Sequence, residues 1–353
     1  MIYCTERLTM HQPLFFAATL CFLFLAGCSS PPPKEAPLPS DLTVSGDFAQ
    51  AAGVNQFIRR MRQQHGFRPA ETAAILSRAK RQQSIIDLMN HQAPKKSTVP
   101  NGAWTRYRAK FLTDDTISKG AAFWQRNAAA LARAESRYRV PAEYVVAIIG
   151  VETHFGGFVG KTRILDALAT LSFAYPRRAA YFTDELADFL VMTRNERVNP
   201  TQPRGSFAGA MGLGQFMPSS FHRYAVDFSG DVHRDLWKTA DSIGSVANYF
   251  KATGSRAGEP VAVRAEAAPS FRPGSLKTGF DTRYRLSELV KHGITPTQSL
   301  GGVTQVSLLQ LDASGGYEYW LGLTNFYVIT RYNHNVHYAM TIHQLAQAIR
   351  ARR

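Results

Sequence analysis

The stretch at residues 143–157, EYVVAIIGVETHFGG, decides how the rest of the chain is read. Pro141 stands just ahead of it, where proline favours the opening of a helix. At helical spacing Val145, Ile148, Ile149 and Phe155 share one face with Glu152. An ionised carboxylate at the end of an apolar stripe is costly to bury. Such a group finds a partner or keeps its proton, and its pKa rises. That suits a general acid working near neutral pH. A glutamate paired with a core arginine such as Arg163 explains the same pattern, so this helix alone leaves two readings open.

Two further segments carry polar groups among aromatic and small residues. Residues 205–220, GSFAGAMGLGQFMPSS, place Ser206 and Gln215 in a run whose glycines allow close backbone approach. Residues 321–340, LGLTNFYVITRYNHNVHYAM, offer Tyr327, Tyr332 and Tyr338 with Asn333. Aromatic faces stack on sugar rings and amides read their substituents. A tight helix–turn connection and ordinary aromatic core are the plainer explanations, and for at least one of the tyrosines the plainer one is expected.

Around these segments the pattern is mainly helical. Residues 48–91 show apolar positions at helical spacing (Phe57, Met61; Ile75, Leu76, Ala79; Ile85, Leu88, Met89), and residues 94–102 break it. A second helical block starts near Ile117 and runs through AAFWQRNAAALARAESRY. Helices are also expected over residues 164–174, 178–193, 240–252 and 337–351. Between 254 and 312 the character changes: VAVRAEA and TQVSLLQLD, followed by YEYWLGL, read as short strands between turns. No Walker loop, dinucleotide fingerprint or HExxH occurs, and no internal repeat.

The formal charge of +15 favours an anionic partner: nucleic acid, acidic headgroups or the carboxylate-rich peptides of a cell wall. The cysteines are Cys4, Cys21 and Cys28, so the rest of the chain has no disulfide framework, Cys-ligated zinc or cysteine nucleophile. Residues 14–26, LFFAATLCFLFLA, are too short for a bilayer span, which needs about 20 residues, and read as a signal-peptide core. Leu25-Ala26-Gly27-Cys28 resembles the bacterial lipoprotein cleavage box, which implies acylation of Cys28 as the new N-terminus. Ser29, in place of Asp, resembles the pattern of lipoproteins sent to the outer membrane, so the expected location is its periplasmic side. The proline-rich run SSPPPKEAPLPS then reads as an extended tether reaching roughly 35–40 Å. An export signal and the lack of a basic–aromatic recognition motif argue against nucleic acid.

Taken together, IIGVETHFG, GKTRILDALATLSFAYPRRAAYF, GSFAGAMGLGQFMPSS, DFSGDVHRDLW and NFYVITRYNH, in that order, resemble the membrane-bound lytic murein transglycosylase B family. The resemblance covers most of the chain after the tether and is weakest before Trp104 and between Gly254 and Ser314. It implies a mainly α (α+β) protein: a lysozyme-like catalytic core with a helical domain and a small β-rich insertion. The expected division is signal peptide 1–27, tether 28–47, helical domain 48–110, core 111–252, β-rich domain 253–314 and closing helices 315–353. Glu152 matches the family's sole acid/base. Tyr107, Ser206, Gln215, Tyr249, Tyr332, Asn333 and Tyr338 match residues lining the glycan groove. Arg177 and Arg178 match a pair that either touches substrate or pairs with Asp184 and Glu185.

The implied reaction needs one carboxylate. Glu152 protonates the bridging oxygen as the bond to N-acetylmuramic acid breaks, and the substrate's acetamido group stabilises the developing positive centre. Glu152 then takes a proton from the 6-hydroxyl, closing a 1,6-anhydro ring. A hydrolytic muramidase, which delivers water with a second carboxylate, and a non-catalytic peptidoglycan-binding lipoprotein are the rival readings. Among the carboxylates Asp166, Asp184, Glu185 and Asp188, Asp166 in the apolar run ILDALATL is the foremost candidate for a second catalytic group. The expected partners are peptidoglycan glycan strands and the membrane through the Cys28 lipid, with cell-wall synthesis or remodelling proteins as further candidates.

Asp227, Ser229, Asp231 and His233 alternate as in an EF-hand calcium loop, with His233 offering its backbone carbonyl. Val232 stands where glycine is usual and Lys238 where the twelfth-position carboxylate belongs. The family's lengthened loop has its last carboxylate at the place Asp241 occupies. A structural calcium and a metal-free loop capping the next helix are both compatible with this pattern, and no cofactor is expected for the chemistry itself.

Overall fold

The computed structural model describes residues 42–91 and 101–353; the signal segment, Cys28 and most of the tether lie outside the described residues. Helices dominate. Residues expected to form one helical block are divided into α1 (Val54–His65), α2 (Pro69–Leu76) and α3 (Gln83–His91). Gly66 at φ +68 ends α1 in the left-handed conformation that glycine tolerates, and Pro69 opens α2. Leu88, expected on the buried face, is 48% exposed. α4 (Ala103–Arg108) leads to α5 (Asp114–Arg126) and α6 (Ala128–Tyr138). The single block expected here breaks at Asn127, whose side-chain amide donates to Phe123 O at 2.8 Å and competes with the helical ladder.

α7 (Ala142–Thr153) is the centre of the fold. Every residue from Val145 to Val151 is buried, because α5, α6, α11 (Thr239–Ala252) and α14 (Val336–Arg352) surround it. The one-sided apolar face expected from spacing is therefore an all-round one, as befits an interior helix. Phe155 does not prolong that face. The helix stops at Thr153, His154 and Phe155 take φ values of +50 and +60, and the Phe155 ring folds back over Gly150. A Cβ on Gly150 would come within 2.6 Å of that ring, so only glycine accepts the fold-back.

After α7 come β1 (Thr162–Arg163), α8 (Ile164–Phe173), α9 (Ala179–Asn195), β2 (Arg204–Gly205), which pairs with β1, and α10 (Pro218–Tyr224). The three expected strands are present as β3 (Ala262–Ala267), β6 (Gln305–Ala313) and β7 (Gly316–Gly322), and the structure adds two short ones, β4 (Tyr284–Arg285) and β5 (Ile294–Pro296), with α12 (Leu286–Lys291) between them. They form an antiparallel sheet in the order β4-β6-β7-β3-β5. Both its faces are covered. Leu309 and Leu311 join the main core, whereas Val306 and Leu308 join a second apolar cluster with Leu289, Ile294 and Leu321. Period-two alternation between two cores explains why β6 carries apolar residues on both of its faces. α13 (Thr324–Tyr332) and α14 close the chain as the expected C-terminal helices, but residues 316–322 of the stretch assigned to them form β7 instead, because they pair with β6 and β3.

Candidate active site

Glu152 sits one residue from the end of α7 and is half-buried. Its expected arginine partner is engaged elsewhere: Arg163 Nη2 lies 2.5 Å from Asp166 Oδ1. The Tyr338 hydroxyl instead donates to Glu152 Oε1 at 2.6 Å. Burial pushes the carboxyl up to about 7, against the opposing effect of that hydrogen bond. Tyr338 and Tyr332 are raised well above the usual phenol range, first by burial and then by the Glu152 charge. Near neutral pH a proton on Glu152 is thus available for transfer.

The glycine-rich segment is fastened directly to this helix end. Thr153 Oγ1 donates to Leu213 O at 3.0 Å and accepts from Gly156 N at 3.1 Å. Met211 and Phe216 exchange backbone hydrogen bonds of 2.8 and 3.0 Å, closing a tight loop between them. A Cβ on Gly212, at φ +67, would lie 2.2 Å from Leu236 O, so glycine is obligatory there. Gln215 is buried at φ +53, and its amide donates to Val159 O at 3.2 Å and Gly212 O at 2.9 Å. Ser206 Oγ accepts from Ala210 N at 3.0 Å and sets the start of the same segment.

Aromatic residues form the other side. The Tyr332 hydroxyl donates to Gly214 O, joining α13 to the glycine-rich loop. Tyr249 packs edge-on to Tyr332 with centroids 4.7 Å apart, and its hydroxyl donates to Arg331 O at 2.5 Å. It braces Tyr332 from within the core, because only 6% of it is exposed. Asn333 is buried, and its Oδ1 lacks a hydrogen-bond partner among the described residues. Tyr107 is half-buried beside His337, with ring centroids 5.6 Å apart. Thr153, which spacing gave no reason to single out, fastens the loop to the end of α7.

Of the four other carboxylates singled out, Asp166, Asp184 and Glu185 hold hydrogen-bonding partners. Asp166 accepts from Lys80 N at 2.8 Å besides pairing with Arg163. Asp184 pairs with Arg60 at 2.5 Å, and Glu185 accepts from Ser219 N and Oγ at 2.9 and 2.7 Å, capping α10. Asp188 is influenced chiefly by burial and then by His222 and His65. Neither Asp184 nor Glu185 meets the Arg177–Arg178 pair: Arg178 lies over the rings of Tyr181 and Phe182, 4.5 and 5.1 Å from their centroids.

In the acidic loop, Asp227, Asp231 and Asp241 bring one oxygen each within 4.8 Å of one another. Backbone N–H groups already fill much of their capacity. Asp227 accepts from Gly230 N (2.6 Å) and Val232 N (2.8 Å), and Asp241 from Phe228 N (2.9 Å), Ser229 N (2.6 Å) and Asp235 N (2.9 Å). Ser229 Oγ lies 3.4 Å from Asp227 Oδ1. Val232 takes φ +67 with 85% exposure, so the turn forms despite its β-branched residue. His233 Nδ1 turns towards Glu196 at 3.6 Å, and the Lys238 ammonium sits on Asp231. The carboxylate geometry fits a hard divalent cation, with an internal ammonium on one of its ligands.

A glutamic acid at the end of a buried helix, faced by tyrosines and a glycine-rich loop, describes a sugar-cleaving site of the lysozyme-like kind. The sequence matches the Transglycosylase SLT domain family over residues 49–347. It is 52% identical, over 93% of this chain and 95% of the relative, to membrane-bound lytic murein transglycosylase B of Escherichia coli K12. The fold is similar to that of the E. coli lytic transglycosylase Slt35 solved in complex with calcium (TM-score 0.83, 54% identity, 88% of this chain and 97% of that one). It is also similar to Pseudomonas aeruginosa SltB3 in complex with NAG-anhNAM-pentapeptide (TM-score 0.73, 29% identity, 84% of this chain and 79% of that one). The chain belongs to the lytic murein transglycosylase B family and is a lytic transglycosylase.

Proposed function

We propose that the protein cleaves the β-1,4 bond between N-acetylmuramic acid and N-acetylglucosamine in peptidoglycan, leaving 1,6-anhydro-N-acetylmuramic acid ends, with Glu152 as sole acid/base. The observation that carries this reading is the Glu152 carboxyl, held near pKa 7 by burial and hydrogen-bonded to Tyr338. Protonated, it donates to the bridging oxygen as the glycosidic bond breaks. Ionised, it accepts the 6-hydroxyl proton while that oxygen closes on the anomeric carbon. The proton count balances without water. The Tyr338 hydroxyl supports the ionised form, because its hydrogen bond lowers the Glu152 pKa. A water-activating carboxylate is not needed, and Asp166, the foremost candidate for one, is spent on Arg163 and Lys80. The internal nucleophile benefits from its high effective concentration. The anhydro-sugar ligand of the SltB3 relative is in keeping with that product.

Tyr107, Ser206, Gln215, Tyr332, Asn333 and Tyr338 would hold the glycan, with Tyr249 supporting Tyr332 from behind. The acidic loop would take calcium through Asp227, Ser229, Asp231, Asp241 and the His233 carbonyl as a structural ion, a reading supported by the calcium complex of the Slt35 relative. Acylated Cys28 would tether the enzyme to the periplasmic face of the outer membrane, as the name of its membrane-bound relative suggests. The separate apolar cluster under the β-sheet supports a β-rich unit that opens near 253, and because that cluster takes in Tyr319 and Leu321 of β7 the unit runs past 314 to the end of that strand. Turbidity clearing of purified sacculi tests the assignment: Asp166→Asn is expected to retain activity, and Glu152→Gln to lose it. Clearing by Glu152→Gln at the native rate would refute the proposal.

A further inference from the structure

α4 is a six-residue helix, too short to hold itself in place, yet it carries Tyr107 and the fully buried Trp104. The start of α4 is gripped from the β-sheet, more than two hundred residues away in sequence. Asp312, near the end of β6, accepts from Asn101 N at 3.0 and 2.9 Å, Gly102 N at 2.9 Å and Ala103 N at 3.4 Å. One residue past the strand, Ser314 N donates to Thr105 Oγ1 at 2.9 Å. Gly102 takes φ +71, and a Cβ there would lie 3.0 Å from Ser314 Oγ. The far side of α4 rests on α14: the rings of Trp104 and Tyr107 are each 5.6 Å from His337, the neighbour of Tyr338. Although its burial works the other way, the N–H groups of Asn101, Gly102 and Ala103 hold the Asp312 carboxyl below its usual range, so it grips as an anion.

We propose that Asp312 is a positioning residue for glycan binding: the β-rich insertion uses it to fix α4 so that Tyr107 presents its ring to the sugar. The β-sheet thereby becomes part of the substrate-binding apparatus while touching none of the reacting atoms. The inference rests on the groove role of Tyr107 given above. Its distinguishing signature is energetic: two residues that act through one contact are not additive, whereas independent ones are.

The test measures kcat and KM on soluble glycan strands for Asp312→Ala, Tyr107→Ala and the double variant. Each single change is expected to raise KM by about tenfold, the equivalent of ~1.4 kcal/mol, with kcat held within about twofold. The double variant is expected to be no worse than Tyr107→Ala. Asp312→Asn, which keeps one acceptor oxygen, is expected to fall between native and Asp312→Ala, and it serves if the alanine variant does not fold. A raised KM for Tyr107→Ala beside a native KM for both Asp312 variants overturns the clamp alone. Multiplying effects in the double variant, or a fall in kcat at constant KM, overturn it equally. A native KM for Tyr107→Ala overturns the groove reading and the clamp with it.

Discussion

Two acidic regions of the molecule have opposite characters. Glu152 lies at the tip of a helix buried on all sides, and the loss of water raises its carboxyl towards neutrality. Asp227 and Asp231 lie on an exposed loop and are held below the usual range. For Asp227 the leading cause is the Gly230 N–H, and for Asp231 it is the Lys238 ammonium. The same functional group is therefore a proton store in one place and a fixed negative charge in the other. The environment assigns the roles: desolvation with one phenolic donor prepares an acid, and saturation by donors prepares a ligand or cap.

The largest consequence is at Glu152. Glu152→Gln keeps the shape and the Tyr338 contact but cannot give up a proton, so turnover of sacculi is expected to fall about 10²–10⁴-fold. Next comes Tyr338→Phe. Losing a hydrogen bond to an ionised group is expected to slow turnover roughly 10–100-fold, about 1.5–3 kcal/mol. Because that bond lowers the Glu152 pKa, its loss is also expected to move the alkaline limb of the pH–rate profile, expected near 7 for the native enzyme, to higher pH. An unmoved limb would separate Tyr338 from the acid's titration.

On the loop side the expected effects are on stability. Calcium that binds only the folded state raises stability by about 2.7 kcal/mol at a hundredfold excess over Kd. The melting temperature is accordingly expected to rise with calcium and fall with chelator, while activity per folded molecule is unchanged. Lys238→Gln removes the ammonium from Asp231, so it is expected to lower the chelated melting temperature and tighten calcium binding by titration calorimetry. The smallest effect links the two regions through pH. A carboxyl raised on folding is most favourable below its unfolded pKa and loses that advantage as pH rises through the folded value, here about 7. Glu152→Gln has no such loss. Its melting temperature is expected to exceed that of the native protein at pH 8 and to approach it at pH 5.

How much of this was legible in the sequence depends on the range of the interactions involved. Strands β3, β6 and β7 could be read because their patterns are local, and Glu152 because it interrupts an apolar run. The strained backbone at Val232 followed from its position in the loop. Enclosure of α7 on all sides was not legible, since it depends on packing against four helices, two of which, α11 and α14, are distant in the chain. The breaks at Gly66 and Asn127 turn on a left-handed cap and a side-chain–backbone hydrogen bond that apolar spacing overlooks. Within the site, the residues Tyr332, Tyr338 and Gln215 were found by motif, but their connections through Gly214, Glu152 and Val159 were not. Asp312 carried no signal whatever, because its partners are backbone N–H groups across the fold.

The central claim is that one carboxyl performs both proton transfers and that the substrate closes on itself. Mass spectrometry of the muropeptides released from purified sacculi tests it most directly. The expected products end in 1,6-anhydro-N-acetylmuramic acid, each lighter by one water than its hydrolytic counterpart. Products dominated by reducing-end muramic acid would contradict the account, since water would then have been delivered by a base that Asp166, Asp184 and Glu185, each bound elsewhere, do not supply.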